Sequence, residues 1–355
     1  MKLFDFLRSP PNEDSFKLDR RKLIGYGCAC CFSAGGFITK AQAQIPEVQK
    51  HLNAARIAAG TDLLPYLKLA EVADRSLRNP NSLTPQQMMA LPAPPPGKAF
   101  DNLYFVGSKW VSCWAITTSE GIILIDAMDN DDEAENIIDK GMRELGLDPA
   151  QIKMIVVTHG HGDHYGGLGY LKRRYGPSIH FSEIDWKMMS TQLEFDRPYW
   201  GRAPQRDMTK DLALQHGDVI QLGDTKIEVM LTPGHTLGTI SLLFDVRQGR
   251  QTHRAFLWGG TAFNFGMRPE RMSRIQSYID ATEKARRIAM EQNIEVFISN
   301  HNGYDEAVEK LAKIRTQMPP DKNPFVIGAH ATYRALTVMH ECATATQIAW
   351  KTTKA

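Results

Sequence analysis

The sequence predicts an α+β domain, and three observations lead there. Short apolar runs at 155–157, 227–231 and 297–298 are each stopped by small or polar residues, as a buried strand running into a loop would be. Longer stretches between and after them carry apolar residues at helical spacing. Each of the three strand-like runs also ends on histidine: at 159, 161 and 164, then at 235, then at 301. Three strands that deliver imidazoles just past their ends describe a site built on the edge of a sheet.

In chain order, residues 1–43 have the features of an export leader. Arg20-Arg21-Lys22 precedes a mostly apolar and small stretch from Leu23 to Ile38, and Ala41-Gln42-Ala43 offers a small-x-small cleavage site. Glycines at 25, 27, 35 and 36 argue against a buried helix there, and the apolar run is short for a membrane span. The expected route is the twin-arginine one and the expected location is periplasmic or secreted, with no membrane span in the mature chain. Residues 44–97 form a helical extension: Val48, Leu52 and Ala55, then Leu64, Leu67 and Val72, recur at helical spacing. Thr84 reads as the N-cap of a short helix to Leu91, and Pro92, Pro94, Pro95 and Pro96 make a stiff linker. A docked extension is expected, with part of it able to cover the site. Residues 98–355 form the main domain, with helices expected over 131–145, 164–175, 184–193, 271–292, 305–316 and 330–349.

The run His159-Gly160-His161-Gly162-Asp163-His164 packs three imidazoles and a carboxylate into six residues, with glycines that let the backbone turn back. Imidazole nitrogen and carboxylate oxygen are the common ligands of zinc in hydrolytic sites. His159 and His161 alternate and can converge on one ion, which leaves Asp163 and His164 for a second. His235, after the Pro233-Gly234 turn, and His301, after Ser299-Asn300, complete the ligand count. His51, His180, His216, His253, His330 and His340 lack such a context and read as structural or exposed, and Asp218 and Asp224 as turn residues.

With these motifs in this order, the chain from Phe100 onward resembles the metallo-β-lactamase superfamily, most closely its third (B3) subclass. The resemblance also rests on Asn102-Leu103-Tyr104-Phe105-Val106-Gly107, Gly121-Ile122-Ile123-Leu124-Ile125-Asp126 and Asn323-Pro324-Phe325-Val326. It implies a four-layer αββα sandwich with two zinc ions in the groove between the sheets. One ion would lie on His159, His161 and His235 and the other on Asp163, His164 and His301, with Asp126 orienting a ligand histidine. The implied reaction is hydrolysis of a cyclic amide such as a β-lactam by a hydroxide held by the metals and aimed by Asp163. The alternative is a lactone, ester or other xenobiotic opened at the same site; iron held by the same ligands, as in a redox scaffold, lacks the extra carboxylates expected of it.

Two departures from the family pattern bear on the substrate. Many superfamily hydrolases carry a bridging aspartate where this chain reads Leu257-Trp258-Gly259-Gly260-Thr261-Ala262-Phe263-Asn264. That argues against a glyoxalase-II, a tRNA-processing nuclease or a typical homoserine-lactone hydrolase. Subclass B3 enzymes commonly have serines near here for the substrate carboxylate; Gly260 occupies one such position and Thr261 is the nearby hydroxyl. The connection 194–216 is the expected substrate-facing loop, with Arg202 or Arg206 pairing with a substrate carboxylate and Trp200 as an apolar wall.

Composition narrows the partners. A net charge of +2, with 42 Lys and Arg against 40 Asp and Glu, offers no electrostatic footprint for nucleic acid, so the expected partner is a small molecule. Cys28, Cys30 and Cys31 fall in the leader. Cys113 and Cys342 remain, and neither is at a candidate metal position, so two free buried thiols are expected.

Overall fold

The computed structural model describes residues 45–265, 268–316 and 323–352. The leader expected over residues 1–43 lies outside them, as do Cys28, Cys30 and Cys31.

Two sheets make the centre of the molecule. The first has seven strands in sequential order: β1 (Gly97–Phe100), β2 (Leu103–Phe105), β3 (Trp114–Thr118), β4 (Gly121–Ile125), β5 (Ile152–Val156), β6 (Ser178–Ser182) and β7 (Ala213–Leu214). Pairing is antiparallel from β1 to β4 and parallel from β4 to β7. The second sheet comprises β8 (Val219–Leu222), β9 (Thr225–Leu231), β10 (Ile240–Gln248), β11 (Gln251–Trp258) and β12 (Ile294–Ser299), in the order β12-β11-β10-β9-β8. Only β11 and β12 in that sheet are parallel.

The alternation of side chains along the strands assigns each face. On β4, Ile123 and Ile125 point into the inter-sheet core, while Ile122 and Leu124 face the helices outside. On β11, Ala255 and Leu257 point inward, and Phe256 and Trp258 face the opposite helical layer. Both faces of both sheets are therefore covered, which makes the four-layer αββα sandwich. Strands buried on two faces explain why the sequence shows near-continuous apolar runs there.

The helices are α1 (Pro46–Ala59), α2 (Pro85–Met89), α3 (Gly162–Tyr165), α4 (Leu168–Tyr175), α5 (Glu183–Thr191), α6 (Arg271–Glu291), α7 (Ala307–Thr316) and α8 (Ala329–Thr352), with shorter turns between. Val48, Leu52, Ala55 and Ala59 of α1 are buried in the same apolar cluster as Leu336, Met339 and Ala343 of α8. The extension is thus an integral part of the outer layer. Thr84 caps α2 with a reciprocal bond to Gln87, so the Thr-x-x-Gln spacing determines where that helix starts.

Three helical expectations change. The single helix over 131–145 is an α-turn (Asp131–Glu133), a π-helical stretch (Ala134–Asp139) and a second α-turn (Lys140–Glu144). Residues 64–73 form a 3₁₀ helix (Leu64–Leu69), with Pro65 in its first turn, followed by a short α-turn. The helix expected over 164–175 begins earlier and breaks between α3 and α4. At that break a Cβ on Gly166 would lie 1.8 Å from the Asp129 carbonyl oxygen, so the chain needs glycine for this close approach.

The topology gathers the histidine loops. The ends of β4, β5, β9 and β12 lead to Asp126, to His159 and its neighbours, to His235, and to His301. Val111 pairs with His301 in an isolated bridge that joins the two halves at this edge.

No described helix is long and apolar enough to cross a membrane. Cys113 and Cys342 are both free and buried, and the Cys113 thiol donates to the Asp126 carbonyl at 3.3 Å.

Candidate metal centre

The five histidines and Asp163 meet in one place, and none is more than 3% exposed. One triangle of donors is closed by His235 Nε2, which lies 3.0 Å from His159 Nε2 and 3.1 Å from His161 Nδ1. A second has sides of 3.2 Å between His164 Nε2 and His301 Nε2, and of 3.5 and 3.6 Å from those nitrogens to Asp163 Oδ2. The triangles adjoin: His159 also groups with Asp163 and His164, and the His159 and His164 rings are 4.2 Å apart.

The donors fit divalent metal. In a tetrahedral site with bonds of about 2.05 Å to nitrogen, neighbouring ligand atoms are about 3.3 Å apart. Four histidines also bond an acceptor through the ring nitrogen turned away. His159 Nδ1 meets the Gly259 carbonyl at 2.8 Å, and His235 Nδ1 the Ala262 carbonyl at 2.8 Å. His164 Nδ1 meets Asp126 Oδ2 at 2.8 Å, and His301 Nδ1 the Trp110 carbonyl at 3.2 Å. Carbonyl and carboxylate oxygens can only accept, so the proton is on Nδ1 and the lone pair on Nε2 is aimed at the cluster. His161 is reversed: its Nδ1 enters the cluster, and its Nε2 lies 3.5 Å from Glu194 Oε2. Burial first, then the neighbouring imidazoles, hold His159, His164 and His235 well below the ordinary histidine pKa. Neutral imidazole is the form that binds metal.

Buried carboxylates brace the loops. Asp126, in a left-handed conformation with φ 64°, accepts from the Thr158 amide at 2.8 Å and hydroxyl at 3.0 Å besides His164. Burial raises its carboxyl well above the usual range, and the Thr158 bonds oppose this. Asp185 accepts from the Gly160 amide at 2.7 Å, the Thr236 hydroxyl at 2.8 Å and the Gly238 amide at 3.1 Å, tying the two main histidine loops together. Nothing in its sequence neighbourhood pointed to Asp185.

A cavity of about 380 Å³ opens over the cluster, and His161, Asp163, His235 and His301 form its floor. Trp110, Phe195, Tyr199 and Trp200 supply aromatic walls, and Thr84, Pro85 and Gln86 of the extension form part of the rim. Trp200 also packs over Gly162 and donates to Asp129 Oδ1 at 2.7 Å. Asn264 lines the cavity with its buried Oδ1 unpartnered among the described residues.

Four residues expected at the substrate are elsewhere. Gly260 lies beneath His235, where a Cβ would come within 2.6 Å of the His235 Cβ, so its small size serves packing. Thr261 is buried, with its hydroxyl 3.4 Å from that of Ser299. Arg202 pairs with Asp196 at 2.8 Å in solvent, and Arg206 donates to the Asp211 carbonyl and lies over the Trp186 ring. The arginine that does line the cavity is Arg197.

His180, outside the cluster, illustrates the cost of a buried imidazole. Burial lowers its pKa to about 4, and Asp211 only partly opposes this. Between pH 6.5 and 4 the unfolded chain binds this proton and the folded chain does not, so stability falls as pH falls through that window. Unfolding free energy is expected to drop by up to about 3 kcal/mol more in the wild type than in His180→Gln over that range, by denaturant titration.

An αββα sandwich with two histidine-rich donor triangles at its sheet edge defines a metallo-hydrolase class of protein. A sequence model described as the metallo-β-lactamase superfamily matches residues 111–248 of the chain. Its fold is that of subclass B3. BJP-1, a subclass B3 metallo-β-lactamase of Bradyrhizobium japonicum, superposes with a TM-score of 0.61 at 24% identity, over 74% of this chain and 97% of that one. MEM-A1, a subclass B3 enzyme from a soil metagenome library, gives 0.62 at 21%, over 74% and 98%. By sequence, a hydroxyacylglutathione hydrolase of Rhodopseudomonas palustris is 36% identical over 112 residues, 32% of this chain. That match spans about a third (34%) of the relative's length. The human acyl-coenzyme A thioesterase MBLAC2 is 29% identical over 203 residues, 52% of this chain and 70% of that protein.

Proposed function

We propose that this chain is a two-zinc hydrolase that opens β-lactam-like cyclic amides, with one ion on His159, His161 and His235 and the other on Asp163, His164 and His301. The observation that carries the reading is the direction of the ring nitrogens. Deprotonated nitrogens 3.0–3.2 Å apart, with no proton between them, repel unless a cation lies among them. Two bound zinc ions would polarise a carbonyl and acidify a water molecule at the floor of the cavity.

The chain's own residues do the rest. Asp163, on the cavity floor, accepts a hydrogen bond from the attacking water and aims its oxygen at the carbonyl carbon. As that bond forms, the carbon–nitrogen bond breaks and the water's proton passes by way of Asp163 to the leaving nitrogen. Arg197 pairs with an anionic group on the substrate, the Asn264 amide meets a polar edge, and the four aromatic walls exclude water. Arg197→Ala is expected to raise KM for an anionic substrate roughly ten- to a hundredfold, as loss of a charge-assisted bond would. Neutral aryl esters should be turned over as before, and Arg202→Ala and Arg206→Ala should leave both KM values alone.

A second reading keeps the site and changes the bond to that of a lactone, ester or thioester. It is favoured by Gly260, which has no room for the serine that would hold a lactam carboxylate, and by the names of the sequence relatives. Against a wholesale transfer of hydroxyacylglutathione hydrolysis, the stretch 257–264 contributes backbone carbonyls to His159 and His235 and no carboxylate. The arginine pair at 20–21 and the Ala43 cleavage site support export to the periplasm; a chain retained whole in the cytoplasm on cell fractionation would refute that.

The test is metal analysis of the purified protein by mass spectrometry, with turnover of a chromogenic cephalosporin, a lactone, an aryl ester and an acyl thioester. About two zinc ions per chain and chelator-sensitive cephalosporin turnover are expected. Turnover of esters or thioesters alone would shift the substrate to the second reading, and iron or no metal would overturn the mechanism.

A further inference from the structure

We infer that Glu194 is a positioning residue, clamped by Arg274, which holds both His161 and His235 in metal-binding geometry. The inference rests on the two-zinc reading and adds to it a pair of residues from outside every histidine motif.

Glu194 is 33 residues beyond His161, at the start of the long connection, and its side chain is only 5% exposed. One carboxylate oxygen lies 3.5 Å from His161 Nε2, the ring nitrogen that faces away from the cluster. The other accepts from Arg274 Nη1 at 2.8 Å. Arg274, on α6, is itself 2% exposed and continues the chain of contacts. Its Nε donates to the Gly234 carbonyl at 3.1 Å, and its Nη2 donates to the His235 carbonyl. Its guanidinium also lies over the Phe265 ring at 4.5 Å. Arg268 donates to the Glu194 backbone carbonyl and lies over the ring of Phe195, which packs on the His161 ring at 5.0 Å.

Two ligands of one triangle are therefore oriented by one buried carboxylate, paired with Arg274 at 2.8 Å and with Arg268 at 3.6 Å. His161 Nε2 has no hydrogen-bond partner among the described residues, and Glu194 is the carboxylate beside it at 3.5 Å, a looser counterpart of the 2.8 Å bond from His164 to Asp126. A buried charge pair costs desolvation and contributes little stability on its own, whereas removing one partner leaves the other uncompensated. Its planar arginine, which reaches the carboxylate with one nitrogen and two backbone carbonyls with the others, is suited to fixing geometry. The same contacts link the metal floor to the wall of the cavity, because Phe195 and Arg197 follow Glu194 directly.

The experiment compares wild type, Glu194→Gln and Arg274→Lys, each loaded with zinc and titrated with a chromogenic chelator. Folding is checked by circular dichroism and thermal unfolding of the metal-free forms. Cobalt-loaded samples report ligand geometry through their visible absorption. For Glu194→Gln we expect one of the two ions to bind ten- to a hundredfold more weakly, the range for loss of such a partner, and the other to be retained. The cobalt bands of the weakened site should shift, and Glu194→Asp should recover part of the affinity. If Glu194→Gln does not fold, Arg274→Lys, which keeps the charge but not the fork, should show the same selective loss. A folded variant of either kind with both affinities and the cobalt spectrum unchanged overturns the inference. Wild type that binds no metal would instead sink the two-zinc reading beneath it.

Discussion

His161→Ala protein is expected to fold, to retain about one zinc ion after dialysis, and to lose hydrolysis by well over a hundredfold. Loss of an outer partner of a ligand already costs ten- to a hundredfold in metal affinity, and loss of the ligand itself costs more. The fold should survive because His161 is in a loop and its ring packs mainly on His159, His235 and Phe195. The remaining ion is expected on Asp163, His164 and His301, whose triangle does not use His161. Metal content by mass spectrometry beside a turnover assay checks both halves. Retention of two tightly held ions would show that His161 is not a ligand.

Gly260→Ser is the sharper test of substrate recognition. If a serine here served a substrate carboxylate, the variant would lower KM for a cephalosporin. The packing predicts the opposite. The new Cβ would meet the His235 Cβ and ring between 2.6 and 2.9 Å, and the nearest of these atoms is the root of the side chain and not its flexible end. Overpacking of this kind costs about 1–3 kcal/mol, and displacing His235 should weaken the first ion at least tenfold. Lower Tm, loss of about one zinc and reduced turnover are therefore expected together. A variant with both ions and improved cephalosporin KM would return Gly260 to the substrate.

The six candidate donors were legible in the sequence because all lie just after apolar strands and four of them share one six-residue run. Asp126 was legible for the same reason, at the end of β4. Periodicity also revealed the apolar face of α1, though not that it would dock on α8, since contacts across some 280 residues leave no local trace. Glu194, Arg274 and Asp185 were invisible for a related reason: each works through a tertiary contact with a loop far away in the chain. The loop 194–216 reads as substrate-facing, and its residues 195 and 197–200 do line the cavity, but which arginine turns inward depends on partners. Asp196 and the Asp211 carbonyl hold Arg202 and Arg206 outside, and Arg197 is left to the cavity. Gly260 was read by the side chain it lacks, when the close approach of His235 is what requires it.

The docking of α1 on α8 has a consequence for how the molecule comes into being. During synthesis α1 emerges ahead of both sheets, while α8 emerges after them, so its apolar face has no finished partner until nearly the whole domain is made. Long-range contacts of this kind slow folding, and surface exposed in the meantime favours aggregation. The last layer to close joins the two ends of the domain. Completing it latches a fold whose metal loops all lie between them.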